Sequence, residues 1–335
     1  MIGRTRKGVK SVRVLHLYLK NSQKKGGAIM KKASTFRSHG SVKGRGNGQT
    51  TTEVVMYILF FICGIAAVVS VAFISLYMIL SGGPAIFKIG ITDFLFGTIW
   101  NPDNSQFGIL PMILASIVAT VTAVLIALPI GILVAVFLSH IAPKKIANLI
   151  RPMVDLLSGI PSVVYGLLGA ILIVPAVFKI QEALSMPTSG CLLSAIIVLV
   201  IMILPTIISV SETALRAVPS SYYEASTGLG GSQLQGIFRV VVPAAKSGII
   251  AGMVLGTGRA IGETMAVMMV AGNAVILPEL LKPVRLLTVS IPFEWAYSSG
   301  LHRDALFGIG LVLFIFIMII NFTINRILKK GGKNA

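Results

Sequence analysis

The feature that most constrains this chain is a set of six apolar runs, at approximately 54–80, 109–138, 152–178, 190–215, 247–272 and 305–325. Each is long enough to cross a bilayer, which takes roughly 20 apolar residues as a helix. In hydrocarbon, a backbone satisfies its own hydrogen bonds only as a helix or a closed barrel. The runs therefore predict an all-α integral membrane protein with six transmembrane helices. The first run exceeds the roughly 7–15 apolar residues of a signal peptide, so it is expected to stay as a membrane helix. The third is interrupted by Asp155, Gly159 and Pro161. Such breaks are tolerated where neighbouring helices or a water-filled cavity satisfy the freed backbone groups.

Composition agrees and adds a puzzle. Of the 335 residues, 55% are hydrophobic and only 12% charged, yet Lys and Arg number 29 against 11 Asp and Glu, a formal charge of +18. Soluble domains are about one quarter charged, so a soluble nucleic-acid binder is excluded. Thirteen of the basic residues lie in the first 50 positions, and no acidic residue precedes Glu53. Residues 1–53 read as a basic, disordered cytoplasmic tail. Within it Met30, followed by Lys31 and Lys32, is an alternative start. With the tail inside, the segments 1–53, 139–151, 216–246 and 326–335 hold 13, 3, 3 and 4 Lys and Arg. The opposite segments, near 81–108, 179–189 and 273–304, hold 1, 1 and 3. This bias predicts that both termini are cytoplasmic. Trp100, Trp295 and Tyr297 fall near the outer boundaries, where interfacial aromatics concentrate.

Other chemistries are set aside quickly. Two cysteines, Cys63 and Cys191, both inside apolar runs, make neither a disulfide framework nor a Cys-rich metal site. Four histidines without metal spacing, His302 among them, give no ligand set. No Gly-x4-Gly-Lys-Ser/Thr loop is present, so any ATP hydrolysis must come from another chain. Gly248, Gly252 and Gly256 recur every fourth residue, the small-residue pattern of close membrane-helix contact. Asp155 is expected near the inner interface.

The segment 216–246 is a structured inner loop. Pro219, Ser220 and Ser221 can start a helix, with Glu224 favouring its N-terminal end. Gly228, Gly230 and Gly231 make a turn. Ser232 to Val242 then places Leu234, Ile237, Phe238 and Val241 at helical spacing, closed by Pro243. That apolar face either packs on the chain's own helices or docks a soluble partner. Glu224-Ala225-Ser226, Gly230 and Val240-Val241-Val242-Pro243 resemble the EAA loop of ABC importer permeases, with its spacing kept and with Ser226, Val240 and Val242 as departures. The resemblance implies that this loop is seated on a cytoplasmic ATPase subunit, with Glu224, Ala225, Gly230 and Pro243 as coupling residues.

One pair of charges lies inside a span. Arg259 is about 12 residues from the inner end of the fifth run, roughly 18 Å at helical rise. A cation at that depth costs several kcal/mol. Glu263, one turn on, is expected on the same face, within reach of Arg259. The pair is either a self-neutralising structural bridge or part of a transport path. Guanidinium offers a planar donor fork suited to an oxyanion such as phosphate. Gly258-Arg259-Ala260-Ile261-Gly262-Glu263-Thr264-Met265-Ala266-Val267 resembles the signature of phosphate ABC-transporter permeases of the C-type. The A-type usually has Ala-Pro after Gly-Glu-Thr. Ser158-Gly159-Ile160-Pro161-Ser162-Val163-Val164-Tyr165-Gly166 and Gly300-Leu301-His302 leading into Ala305-Leu306 fit the same family.

The resemblance covers roughly residues 54–328 and implies the type I permease fold in a bacterial plasma (inner) membrane; residues 329–335 read as a basic C-terminal tail. It implies a substrate pathway at Arg259, Glu263 and Thr264, with Pro161 and Ser162, and no catalytic residue, metal or cofactor. The implied partners are a homodimeric ATPase inside, an A-type permease as heterodimer partner, an extracytoplasmic phosphate-binding protein and membrane lipid, with no nucleic acid. The alternatives are an ion-coupled secondary carrier, a membrane scaffold that recruits a soluble partner, and a permease for sulfate or molybdate.

Overall fold

The structure, a computed structural model, describes residues 47–333. The basic segment 1–46, with the alternative start at Met30, lies outside the described residues. Twelve helices follow one another among those described. The first, α1 (Asn47–Ile89), is 43 residues long. Next come α2 (Ile91–Phe96), a two-stranded hairpin of β1 (Trp100–Asn101) and β2 (Gln106–Phe107), and α3 (Leu110–Ile141). Then follow α4 (Lys144–Gly159), α5 (Ser162–Ala183) and α6 (Leu192–Arg216). The predicted inner loop folds as α7 (Ser220–Gly228) and α8 (Gln233–Ala244). The last elements are α9 (Lys246–Gly262), α10 (Met265–Val270), α11 (Leu287–Glu294) and α12 (Gly300–Lys333).

Five helices are long and apolar enough to cross a membrane, and the count reaches six if α8 and α9, which meet at a 68° bend, are taken together as one bent span. Two expected boundaries move. The third span is not 152–178 but α5, beginning at Ser162. Pro161 disfavours helical backbone at Ile160, whose ψ is 130°. The charged residues before it leave the span as the amphipathic α4. The fifth span does not run unbroken to 272. It stops at Gly262, and Glu263 is extended (φ −70°, ψ 128°). The hairpin was not foreseen either. Its turn, Pro102 to Ser105, depends on Ser105 adopting φ +56°.

The chain divides within α1, between Val71 and Ala72. The described part up to Val71 is one helix, whose side chains from Thr52 onward are exposed. From Ala72 onward, α6 is the central post. The fully buried Ala115, Ala119, Ala123 and Ala127 bring α3 against it. The glycine stripe of α9 meets its other side. A Cβ on Gly248 would lie 2.2 Å from the Ala214 Cβ, and one on Gly256 2.9 Å from Ile207. The small-residue pattern is thus a packing surface, and it lets two backbones approach closely. The end of α1 packs on α12 through Tyr77 and Phe307, edge to face at 5.4 Å. A second core gathers Phe94, Phe107, Ile109, Met112, Leu287 and Leu306.

The α5–α10 contact is as tight: a Cβ on Gly166 would sit 2.8 Å from the Ala266 Cα, which is backbone and cannot yield like a side chain. Gly166→Val is expected to destabilise the protein by about 1–3 kcal/mol through overpacking. Gly83→Ala, with nothing within 4 Å, is expected to leave stability unchanged. Thermal unfolding of the purified protein in detergent compares the two.

Candidate anion site and coupling loop

Arg259 sits near the end of α9, half-buried. Its Nη1 donates to Thr206 Oγ1 on α6 at 3.2 Å. The expected bridge to Glu263 does not form. The helix ends between the two residues, so the i, i+4 geometry is lost. Glu263 is buried and faces its own backbone: Oε1 accepts from the Ala266 N–H at 2.9 Å, capping α10. Its carbonyl accepts from Thr288 Oγ1 at 2.8 Å. No carboxylate among the described residues pairs with Arg259. Four of the five guanidinium N–H donors are left for another acceptor.

The other expected pathway residues gather at the same place. Thr264 is half-buried in the break, its Oγ1 donating to the Gly262 carbonyl at 3.3 Å. Pro161 precedes the first turn of α5 and Ser162 begins it. The Gly166–Ala266 contact sets this end of α5 beside the α9–α10 break. Tyr165 Oη spans the first break by donating to the Leu157 carbonyl at 2.6 Å. A helix N-terminus presents unpaired N–H groups and a positive dipole end, which favours an anion. The start of α5 and the α9–α10 break are thus neighbours, while among the described residues the one hydroxyl on the Arg259 guanidinium is that of Thr206.

The coupling-loop residues form a separate surface. Glu224 and Ala225 are exposed on α7, and Pro243 is exposed near the end of α8. Gly230 has φ +88°, a conformation an L side chain resists. Ser232 and Gln235 cap α8 reciprocally. The apolar face is only partly covered by the chain's own helices. Ile237 and Val241 are buried with Val136 and Leu215. Leu234 and Phe238 stay exposed, beside Tyr222 and a Leu229 that is 91% exposed.

Two polar clusters were not foreseen. At the loop-bearing end, Glu212 pairs with Arg151 and, at 3.6 Å, with Arg216. Arg151 also donates to the Leu138 carbonyl at 2.9 Å. Asp155 accepts from Ser209 Oγ at 3.1 Å. The i, i+4 spacing of Glu212 and Arg216 was a readable signal, whereas Arg151 comes from a distant helix. At the other end, buried Glu294 pairs with Arg285 and accepts from Trp100 Nε1 at 2.9 Å. His302 Nε2 lies 2.7 Å from it. His302 and Trp100 therefore belong to a structural network rather than standing alone at the interface. Among the described residues no group of three or more His, Cys, Asp or Glu could hold a metal.

Comparison with known proteins adds the context. Residues 127–330 match the family described as "Binding-protein-dependent transport system inner membrane component". The chain is 36% identical over 275 residues to "Probable ABC transporter permease protein YqgH" of Bacillus subtilis, covering 79% of this chain and 88% of that one. It is 34% identical over 262 residues to "Phosphate transport system permease protein PstC" of Pasteurella multocida, covering 72% and 82%. In fold it is similar to a chain of a bacterial alginate ABC transporter in complex with its pentasaccharide-bound periplasmic protein. That likeness has a TM-score of 0.60 at 14% identity and covers 86% of this chain and 98% of that one.

The Glu294 network carries a direct test. Arg285→Ala would leave a buried carboxylate without its guanidinium, and is expected to cost about 3–5 kcal/mol. Lys282→Ala breaks only the exposed Lys282–Glu279 pair, and is expected to cost less than about 1 kcal/mol. Thermal unfolding midpoints in detergent separate the two.

Proposed function

This chain belongs to the family of binding-protein-dependent transport system inner membrane components, and from that premise we propose that it carries inorganic phosphate past Arg259. It is a permease subunit of an ABC importer in the inner membrane, a transport component rather than an enzyme. The relatives named as phosphate permeases support the substrate. The observation that carries the site is Arg259 itself, a half-buried arginine with a hydroxyl and no carboxylate for a partner. A guanidinium binds a tetrahedral oxyanion through paired N–H donors. Desolvating the anion is offset by relieving the unpaired cation. The N-terminal end of α5, at Pro161 and Ser162, adds its dipole, and Thr264 adds a hydroxyl.

Glu263 holds the α9–α10 break in shape, so its carboxylate serves the site by capping the start of α10. At the other surface, Glu224, Ala225, Gly230 and Pro243 present the coupling helices to a homodimeric ATPase. The exposed Leu229, Leu234 and Phe238 match the apolar surface such docking requires. In this reading both termini face the cytoplasm, which holds the basic residues of the first 50 positions on that side. An A-type permease subunit completes the pathway, and an extracytoplasmic binding protein delivers phosphate. Closure of the ATPase on its nucleotide moves the coupling helices and alternates access to Arg259.

The test is ATP-driven uptake of radiolabelled phosphate by the four-component system in vesicles. Uptake is expected to require an active ATPase and to survive a proton ionophore. Unlabelled sulfate is expected to compete poorly. Uptake that continues with an inactive ATPase, or sulfate competing as well as phosphate, would overturn the reading. Arg259→Ala is expected to abolish uptake in complexes that assemble normally. Gly230→Val, which adds about 1–2 kcal/mol of strain to a left-handed turn, is expected to lower uptake and ATPase stimulation together while leaving phosphate binding intact.

A further inference from the structure

The face of α6 below Arg259 is polar where a lipid-facing helix could not be. Thr206, Ser209, Thr213 and Arg216 are spaced three, four and three residues apart, which places them on one side of the helix. Thr206 and Ser209 are half-buried, and Thr213 and Arg216 are exposed. α6 has 25 residues, and Thr206 lies ten before its end, about 15 Å deep at helical rise. Thr213 can satisfy its hydroxyl on its own helix, but hydrocarbon offers no partner to the free proton of Thr206 or the charge of Arg216, so water or protein must face this side of α6. Beside the lower part of this stripe lies a cavity of about 140 Å³, lined by Arg151, Asp155, Ser209, Glu212, Thr213 and Arg216. That is room for several waters at about 30 Å³ each.

The hydrogen bonds give the stripe a direction. Thr206 Oγ1 accepts from Arg259, and its own proton has no acceptor among the described residues. Ser209 donates to Asp155, and Thr213 donates to the Ser209 carbonyl at 2.8 Å. Arg216 is held to Glu212 only at 3.6 Å, because Arg151 takes the close position on that carboxylate. We propose that this stripe lines the exit route of the anion from Arg259 to the loop-bearing end, with Arg216 at the mouth. The proposal rests on the reading of Arg259 as the anion-binding residue. Thr206 hands the anion on through its free hydroxyl proton. Asp155 and Glu212 hold the potential of the two lower arginines down, so the anion leaves rather than being trapped.

The test uses the assembled transporter, with Cys63→Ser and Cys191→Ser as background. Single cysteines are placed at Thr206, Ser209 and Thr213, and at Ile201, an exposed residue on another face of α6. An anionic methanethiosulfonate is added from the ATPase side. The three stripe cysteines are expected to react at least about tenfold faster than Ile201→Cys, because the reactive thiolate forms only where water reaches. Inorganic phosphate is expected to slow the reaction at Thr206→Cys. Thr206→Val is expected to lower maximal uptake several-fold, and Thr206→Ser to restore it. Stripe cysteines that react no faster than Ile201→Cys would overturn the exit route, even with Arg259→Ala inactive. If Arg259→Ala transports like wild type while the stripe reacts, the anion site at Arg259 falls and the aqueous stripe stands.

Discussion

Everything distinctive in this structure follows from the rule that a helix may break in hydrocarbon only where protein replaces the lost backbone partners. Two breaks interrupt the apolar runs, at Gly159–Ser162 and at Gly262–Met265. Each is stitched by side chains: Tyr165 to the Leu157 carbonyl in the first, Glu263 and Thr288 in the second. The glycine at position 166 lets the two broken elements pack backbone to backbone. The rigid post behind them, α6, is held by the alanines of α3 and the glycines of α9. The breaks place polar groups in the middle of an apolar protein and fix where they point.

Charge follows the same logic. Of the three half-buried arginines among the described residues, Arg151 and Arg285 are ion-paired and Arg259 is not. The first two are structural: one ties α4 to α6, the other ties the loop before α11 to the end of that helix. Arg259 has only a threonine. An ion pair there would fill the guanidinium and compete with an incoming anion. The helix break that carries Glu263 away from Arg259 is therefore what, in the proposed reading, keeps the guanidinium available to the anion.

Much of this was legible in the sequence. Six long apolar runs fixed the class, the glycine repeat marked a contact surface, and the inner loop showed both its helices and its glycine turn. Other parts were hidden for physical reasons. Periodicity carries a helix straight through Glu263, because the break depends on a carboxylate reaching forward to the Ala266 N–H and on Thr288, 25 residues away. The loss of residues 152–161 from the third span depended on how Pro161 acts on its predecessor. Thr206, His302 and Arg151 each looked unremarkable until tertiary contacts supplied Arg259, Glu294 and Glu212. Polar residues in apolar runs were the readable trace of a site, and their partners were not.

The central claim is that the open guanidinium of Arg259 binds the anion. Equilibrium binding of radiolabelled phosphate to the detergent-purified assembled transporter, free of its binding protein, tests it most directly. Saturable binding should be lost in Arg259→Gln and retained, more weakly, in Arg259→Lys, which keeps the charge without the fork. Binding by Arg259→Gln equal to wild type would contradict the account.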